Sequence, residues 1–410
     1  MRIKDICDFV SRGATPDYVD ESPYKVMNQA TFSKGWLDES NVRYTSKAIQ
    51  DAQIQKGDLI MASTGGGVLG KVFYYDSNDN HFYADSHVSI LRNSRGANLM
   101  KYLYYFFSVR YDEINATLVK GSTNQTELQR NYLLAYELDI PSLQVQQRIV
   151  EYLDAKIAEI DKKIELLGKK RDAYKRLKIA TINHAVIRGL DEHVKLKDTD
   201  IDWIGEIPVH WETVRIKDVV SEIFMGTSPV YEYEEDNDNF VFGQRNNQLD
   251  GINFDDIKFA KDSFFNERQE YEFLKYGDVL INTLGGGSVG RTGYYDKNDD
   301  VRVITDGHIM VLRSKTYDTR YMYYYLLSRK ERLENMAIGS TNQSFFNVSD
   351  VRVIPIPKPS SLEQKQIAAY LDDRCAKIDE TVTIIDKQID ALKRLKRSLI
   401  NEVVTGKRMV

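Results

Sequence analysis

The sequence predicts an α+β chain: two similar α/β domains separated by two long helices that form an antiparallel intramolecular coiled coil with pseudo-twofold symmetry. Three observations carry this reading. The two halves repeat one another, each half closes with a heptad helix, and the connection between them is short. Gly121-Ser122-Thr123-Asn124-Gln125 returns unchanged as Gly339-Ser340-Thr341-Asn342-Gln343. Arg2-Ile3-Lys4-Asp5 returns as Arg215-Ile216-Lys217-Asp218, and Gly57-Asp58 with Gly65-Gly66-Gly67 returns as Gly277-Asp278 with Gly285-Gly286-Gly287. Asp85-x-His87 returns as Asp306-x-His308, and Tyr152-Leu153-Asp154 as Tyr370-Leu371-Asp372. A period the size of a domain is too long for a solenoid and marks a duplicated domain-plus-helix unit.

In chain order, residues 1–143 form the first domain and 144–189 the central helix. Residues 190–360 are a linker and the second domain, and 361–410 the C-terminal helix. Within the domains, runs such as Asp58 to Ala62, Val88 to Leu91, Val279 to Asn282 and Ile309 to Leu312 read as short strands between Gly, Asn and Asp turns. Met100 to Ser108 and Arg320 to Ser328 read as tyrosine-rich helices, whose aromatics at helical spacing belong to the core.

Leu153, Ile157, Ile160, Ile164 and Leu167 form the seam of the first long helix, with a break at Arg171. Leu371, Ile378, Val382, Ile385, Ile389 and Leu392 form that of the second, with a break at Lys396. Heptads of this length with charged flanks indicate a coiled coil, and each helix supplies the other's partner. A helix of about 45 residues is ~68 Å long. Parallel pairing would need the chain from Leu190 to Val214 almost fully extended, whereas its Trp203, Pro208 and Trp211 point to local packing. Antiparallel pairing follows, with one domain expected at each end of a rod.

Bulk properties narrow the function. The chain has 410 residues, 42% hydrophobic and 29% charged, with a net charge of −5. These are values for a globular protein without a membrane-spanning run. Cys7 and Cys375 are too few for a disulfide framework or a zinc site, and the N-terminus lacks the apolar core of a signal peptide. A cytoplasmic location is expected. The net charge requires any surface for an anionic partner to be local. Basic residues do cluster from Lys162 to Lys178 and from Lys387 to Arg397, in both copies, although a solvated helix face explains them equally well.

The glycine loops nearly spell a P-loop, but Lys71 is followed by Val72, and Arg291 stands where lysine is required. A strand-like run follows each, where a P-loop opens a helix. The loops are either structural turns or places of close backbone approach to a ligand, with Lys71 and Arg291 as candidate phosphate contacts. The repeated loops offer Ser122, Asn124, Gln125, Ser340, Asn342 and Gln343. Their identity suits a shared clamp or scaffold better than readout of different sequences. Candidate readers of a base edge lie where the halves differ. They are Asn28, Gln29, Ser33 and Lys34 in the first half, and Gln244, Arg245, Asn246, Asn247 and Gln248 in the second, against the alternative of plain exposed loops. Asp85/His87 and Asp306/His308 lack further ligands for a metal site or a triad, so each is expected to be a structural hydrogen-bonded pair. No catalytic residue and no metal site is assigned.

The combination resembles the specificity (S) subunits of type I restriction-modification systems. The resemblance rests on Trp203-Ile204-Gly205-Glu206-Ile207-Pro208-x-His210-Trp211, the paired Gly-Ser-Thr-Asn-Gln loops, and Ile356-Pro357 leading to Leu362-Glu363-Gln364-Lys365-Gln366-Ile367. It spans essentially the whole chain. The family's Trp-Ile-Gly-Glu-Ile-Pro leader precedes only the second domain; the first begins at Arg2-Ile3-Lys4. The resemblance implies a non-catalytic subunit whose two target-recognition domains each read half of a bipartite double-stranded DNA target. It implies that the coiled coil measures the gap and docks two methyltransferase (M) subunits, with restriction (R) subunits added. Cofactors are expected on those partners and not on this chain: S-adenosylmethionine for adenine methylation, ATP and magnesium for translocation and cleavage. The alternatives are a stand-alone two-headed DNA-binding regulator, which would footprint DNA without a methyltransferase, and a nucleotide enzyme built on the glycine loops.

Overall fold

The computed structural model describes all residues except 95–96, 121–125, 230–232, 235–237, 249–250, 256, 286, 298–300, 338–344 and 346. The chain forms two compact units, Met1–Gly168 with Asp386–Val410, and Lys169–Ile385. The division cuts through both long helices, so each unit owns one domain and a section of each helix.

The first unit contains two four-stranded sheets. One is antiparallel, in the order Phe9–Arg12, Val88–Arg92, Leu59–Ala62, Val72–Tyr74. The other runs Tyr18–Val19, Arg43–Thr45, Tyr24–Met27, Phe82–Ala84, and its last pair is parallel. The second unit repeats both. Glu222–Met225, Ile309–Arg313, Val279–Asn282 and Thr292–Tyr294 make the antiparallel sheet. Tyr233–Glu234, Lys258–Ala260, Asn239–Phe242 and Arg302–Thr305 make the mixed one, again with a parallel last pair. The central strands Leu59–Ala62 and Val279–Asn282 are buried throughout, which is why they read as continuous apolar runs and not as alternations.

The repeated Gly-Asp turns have a structural cause. Asp58 is buried and takes a bidentate pair of hydrogen bonds from Arg92 at 2.7 Å. Asp278 receives the same pair from Arg313, and Glu222 joins it. Each arginine therefore ties the end of its strand to the turn that opens the neighbouring strand, and satisfies a carboxylate that would otherwise be costly to bury.

The tyrosine-rich helices, Ala97–Ser108 and Thr319–Ser328, are core elements. Each also docks a long helix through the repeated Tyr-Leu-Asp motif. Asp154 accepts hydrogen bonds from Tyr105 and from Lys101 at 2.7 Å, and Leu153 is buried beneath. Asp372 accepts from Tyr324 and Arg320, both at 2.7 Å, over buried Leu371.

The long helices span Leu143–Arg188 and Ser361–Val404. Within the first unit, Ile149, Leu153 and Ile160 share a core with Leu399, Ile400 and Val403. Within the second, Ile182 and Val186 share one with Ile367, Leu371 and Cys375. The start of one helix lies beside the end of the other in both units, so the pairing is antiparallel. Every predicted seam residue from Leu153 to Leu167 and from Leu371 to Leu392 is buried or half-buried. Lys396, which interrupts the second seam, pairs with Asp161 at 2.7 Å; its counterpart Lys178 pairs with Asp379 at 2.6 Å. No helix among the described residues is long and apolar enough to cross a membrane.

Candidate functional site

Each mixed sheet ends in a concavity at the carboxyl end of its parallel strand pair, a place where side chains and loops converge away from the ladder. In the first unit, Met27 and Ala84 are the last paired residues. The chain leaving Ala84 turns at once: Asp85 donates its backbone N–H to the Met27 carbonyl at 3.1 Å and accepts the His87 backbone N–H on Oδ1 at 2.9 Å. The His87 ring meets Thr64 Oγ1 at 2.7 Å, and Gln29 donates to the same Thr64 oxygen at 2.7 Å. Asn28 caps the short helical turn Gln29–Phe32 and donates to the Asn41 carbonyl at 3.2 Å. Arg43 and Tyr18, from the adjoining strands, stack at the rim, with the guanidinium 5.2 Å from the ring centre. The cavity enclosed is about 560 Å³.

The second unit builds the same frame. Phe242 and Thr305 are the last paired residues, Asp306 donates to the Phe242 carbonyl at 3.0 Å, and its Oδ1 accepts the His308 N–H at 2.9 Å. Lys258 pairs with Val241 in the register in which Arg43 pairs with Val26. Gln244, Arg245, Lys258 and His308 line a smaller cavity of about 220 Å³. Burial pushes both aspartates above their ordinary range, opposed by the histidine N–H in each turn. Close approach of another segment fixes one glycine in each frame. A Cβ on Gly13 would lie 2.2 Å from the Ala84 carbonyl oxygen, and one on Gly226 2.2 Å from Thr305 Oγ1.

The predicted site residues divide among several places. Asn28, Gln29, Gln244, Arg245 and Asn246 come together with the Asp-x-His turns at these two concavities. Ser33, Lys34 and Lys71 lie instead beside a separate cavity of about 370 Å³. There Lys71 donates to the Ser33 carbonyl at 3.2 Å, and Lys34 to Asp38 at 2.7 Å. Hydrogen bonds from Lys34 and Ser40 hold the Asp38 carboxyl at about 2.

Asn247 is a correction to the expectation that it faces a ligand, because it is buried and lines neither concavity, whereas Asn246, although buried, lines the second one. Asn246 bonds the Gly243 N–H at 2.9 Å, and Asn247 donates to Asn282 at 2.9 Å and to the Arg291 carbonyl at 3.1 Å. These amides fasten the loop and the small hairpin Asn247–Gln248 with Gly251–Ile252 onto the sheet. Arg291 is spent in the same way, on the Asn247 carbonyl at 3.3 Å and on Gln248 at 3.1 Å. The glycine loops run into strands Val72–Tyr74 and Thr292–Tyr294, as their spacing predicted. Ser122, Asn124, Gln125, Ser340, Asn342 and Gln343 lie outside the described residues.

Sequence reasoning missed Tyr18, Arg43 and Lys258. No local motif announces them, since they reach the site only through strand order and register. The Asp-x-His turns were legible as structural pairs, but their place at the mouth of a cavity was not.

Comparison with known proteins agrees with this duplicated architecture. Residues 1–167 and 208–394 match the family described as type I restriction modification DNA specificity domain. The chain is 27% identical over 327 residues to the type I restriction enzyme MjaVIII specificity subunit of Methanocaldococcus jannaschii, covering 75% of this chain and 71% of that protein. It is 22% identical over 348 residues to the putative type I restriction enzyme specificity subunit S.HindORF215P of Haemophilus influenzae, covering 80% and 78%. In fold it resembles a chain solved to explain complex assembly and conformational transition of the type I R-M system, with a TM-score of 0.73, 16% identity, and coverage of 98% and 96%. The HsdS subunit from Thermoanaerobacter tengcongensis follows with a TM-score of 0.52, 18% identity, and coverage of 100% and 96%. With two matched segments spanning most of its length, the chain belongs to the family of type I restriction modification DNA specificity domains.

Proposed function

We propose that this chain is the DNA sequence-specificity subunit of a type I restriction-modification complex and itself performs no chemistry. Each domain reads one half of a bipartite double-stranded target, residues 1–143 one half and 190–360 the other. The observation that carries this is the pair of concavities. Both have the same frame of parallel-strand edge, Asp-x-His turn and strand-borne cation. Their walls differ, with Asn28, Gln29, Tyr18 and Arg43 in one and Gln244, Arg245 and Lys258 in the other. A common frame with unlike walls suits two readers of unlike sequence, since base edges are distinguished by the donors and acceptors set against them.

The helix pairs set the gap between the half-sites and dock two methyltransferase subunits. Their exposed apolar residues support this: Leu166 and Leu395 in the first unit, and their counterparts Ile384 and Leu177 in the second. S-adenosylmethionine, ATP and magnesium belong to the M and R partners, which also supply much of the phosphate contact that a chain of net charge −5 needs. A cytoplasmic location, beside the DNA, goes with this role.

The test is co-expression with the cognate methyltransferase subunit in a host without other adenine methylation, followed by long-read mapping of methylated adenine. Two short motifs at a fixed spacing, absent when this chain is omitted, are expected. Methylation that is independent of this chain, or confined to one undivided motif, would refute the reading.

A further inference from the structure

Among the differences between the two concavities is the setting of the Asp-x-His carboxylate. In the second unit, the half-buried Asp306 carboxylate takes the His308 N–H on Oδ1 at 2.9 Å, and the Gln244 backbone N–H also favours its ionised form. The chain there comes so close that a Cβ on Gly243 would stand 3.0 Å from Asp306 Oδ2. In the first unit, Asp85 is only 3% exposed, yet among the described residues its carboxylate receives a single hydrogen bond, from the His87 N–H to Oδ1. Its Oδ2 has no hydrogen-bond partner among the described residues. The cavity it lines is the larger of the two, about 560 Å³ against about 220 Å³.

A carboxylate this buried has lost much of its water and keeps acceptor capacity on the side of the cavity it lines. Arg12 and Arg43 favour its ionised form from a distance, and neither hydrogen-bonds to it among the described residues. Arg12 is committed elsewhere, to the Ser86 carbonyl and to Glu127. What the oxygen lacks is a neutral N–H donor entering from the open side. Phosphate is excluded as the occupant, because it brings acceptors and negative charge. The exocyclic amino group of an adenine or cytosine edge in the major groove supplies the missing donor and no charge.

Resting on the reading of this chain as a DNA-specificity subunit, we propose that Asp85 is a specificity-determining residue, its free oxygen accepting a hydrogen bond from the amino group of one adenine or cytosine in the half-site read by the first domain. Asp306, at the matching position of the second domain, holds its turn and reads nothing. The duplicated Asp-x-His motif has therefore been retained for structure in both copies and is used for readout in one.

The test uses the full chain in complex with its methyltransferase subunits, once the wild-type complex has been shown to methylate a bipartite motif. If no such motif appears, the functional reading fails first, and the two failures are distinguishable. Binding is then measured, at one fixed salt concentration, to duplexes in which each adenine or cytosine of the motif is replaced in turn by an analogue lacking its amino group (purine, or pyrimidin-2-one). For the wild-type complex, removal of one amino group in one half-site is expected to weaken binding about tenfold or more. Asp85→Asn, which keeps the oxygen that accepts the His87 N–H, is expected to be insensitive to that same removal, while Asp306→Asn keeps the wild-type pattern. The proposal is overturned if Asp85→Asn and wild type respond alike at every position. It is overturned equally, with no variant needed, if no single amino deletion affects the wild-type complex by more than about twofold.

Discussion

Glu363 shows how a residue that looks ordinary in the sequence can hold a junction. It stands at the third position of the C-terminal helix, and the Ser360 N–H and hydroxyl bond its Oε2 at 2.9 and 2.7 Å, a capping box. Its other oxygen takes the Trp211 indole N–H at 3.0 Å and meets His210 Nε2 at 2.8 Å. Burial pushes this carboxyl up, but the bonds from Trp211, His210 and Ser360 outweigh it and hold the group at about 2, against an ordinary 4.5. A depressed carboxyl stabilises the fold above the unfolded-state value and loses that contribution as pH falls through the folded-state value. Glu363→Gln is therefore expected to cost about 1–2 kcal/mol at neutral pH. In urea unfolding followed by Trp fluorescence, the gap between wild type and variant should hold constant above about pH 5 and close by about pH 2. A gap independent of pH would mean that charge plays no part. Both motifs were visible in the sequence, His210-Trp211 in the linker and Leu362-Glu363-Gln364 at the helix entry. That one exists to hold the other was not, because some 150 residues separate them and only the fold brings them together. The same limit applied to Asn247, whose residue type suggests readout but whose burial assigns it to the loop.

At the scale of elements, periodicity was most informative where burial is one-sided. The heptads gave both long helices and their seams, because a stripe of 4-3 spacing has a single way to be buried. The breaks in the pattern are informative as well. Lys396 and Lys178 occupy matching places and each reaches an aspartate of the other helix, Asp161 and Asp379. Exposed pairs of this kind add little stability, but they favour one register over its neighbours. Strand order was not legible: the parallel pairs Tyr24–Met27 with Phe82–Ala84, and Asn239–Phe242 with Arg302–Thr305, join segments far apart in sequence through short strands with no distinctive pattern. The exposed apolar residues of the helices carry a prediction of their own. Leu166→Asp with Leu395→Asp should remove one methyltransferase subunit from the co-purified complex, and Leu177→Asp with Ile384→Asp the other, each leaving a species with a single partner subunit by light scattering. Retention of two partners by both double variants would place the docking surface elsewhere.

For the whole molecule, the duplication is the fact from which the rest follows. It was plain in the sequence because shared structure conserved its markers: the Gly-Asp turns that meet Arg92 and Arg313, the Tyr-Leu-Asp docking motif, and the Asp-x-His turns. The differences that bear on readout lie in the walls of the two concavities, and such differences carry no signal until the frame is known. The central claim is that two independent readers reside on one chain. Its most direct measurement is methylome mapping of a complex in which residues 1–143 are exchanged for the equivalent segment of a relative with a different target. One half-site is expected to change while the other half-site and the spacing stay as they were. If both half-sites changed together, or neither did, the assignment of one reader to each domain would be contradicted.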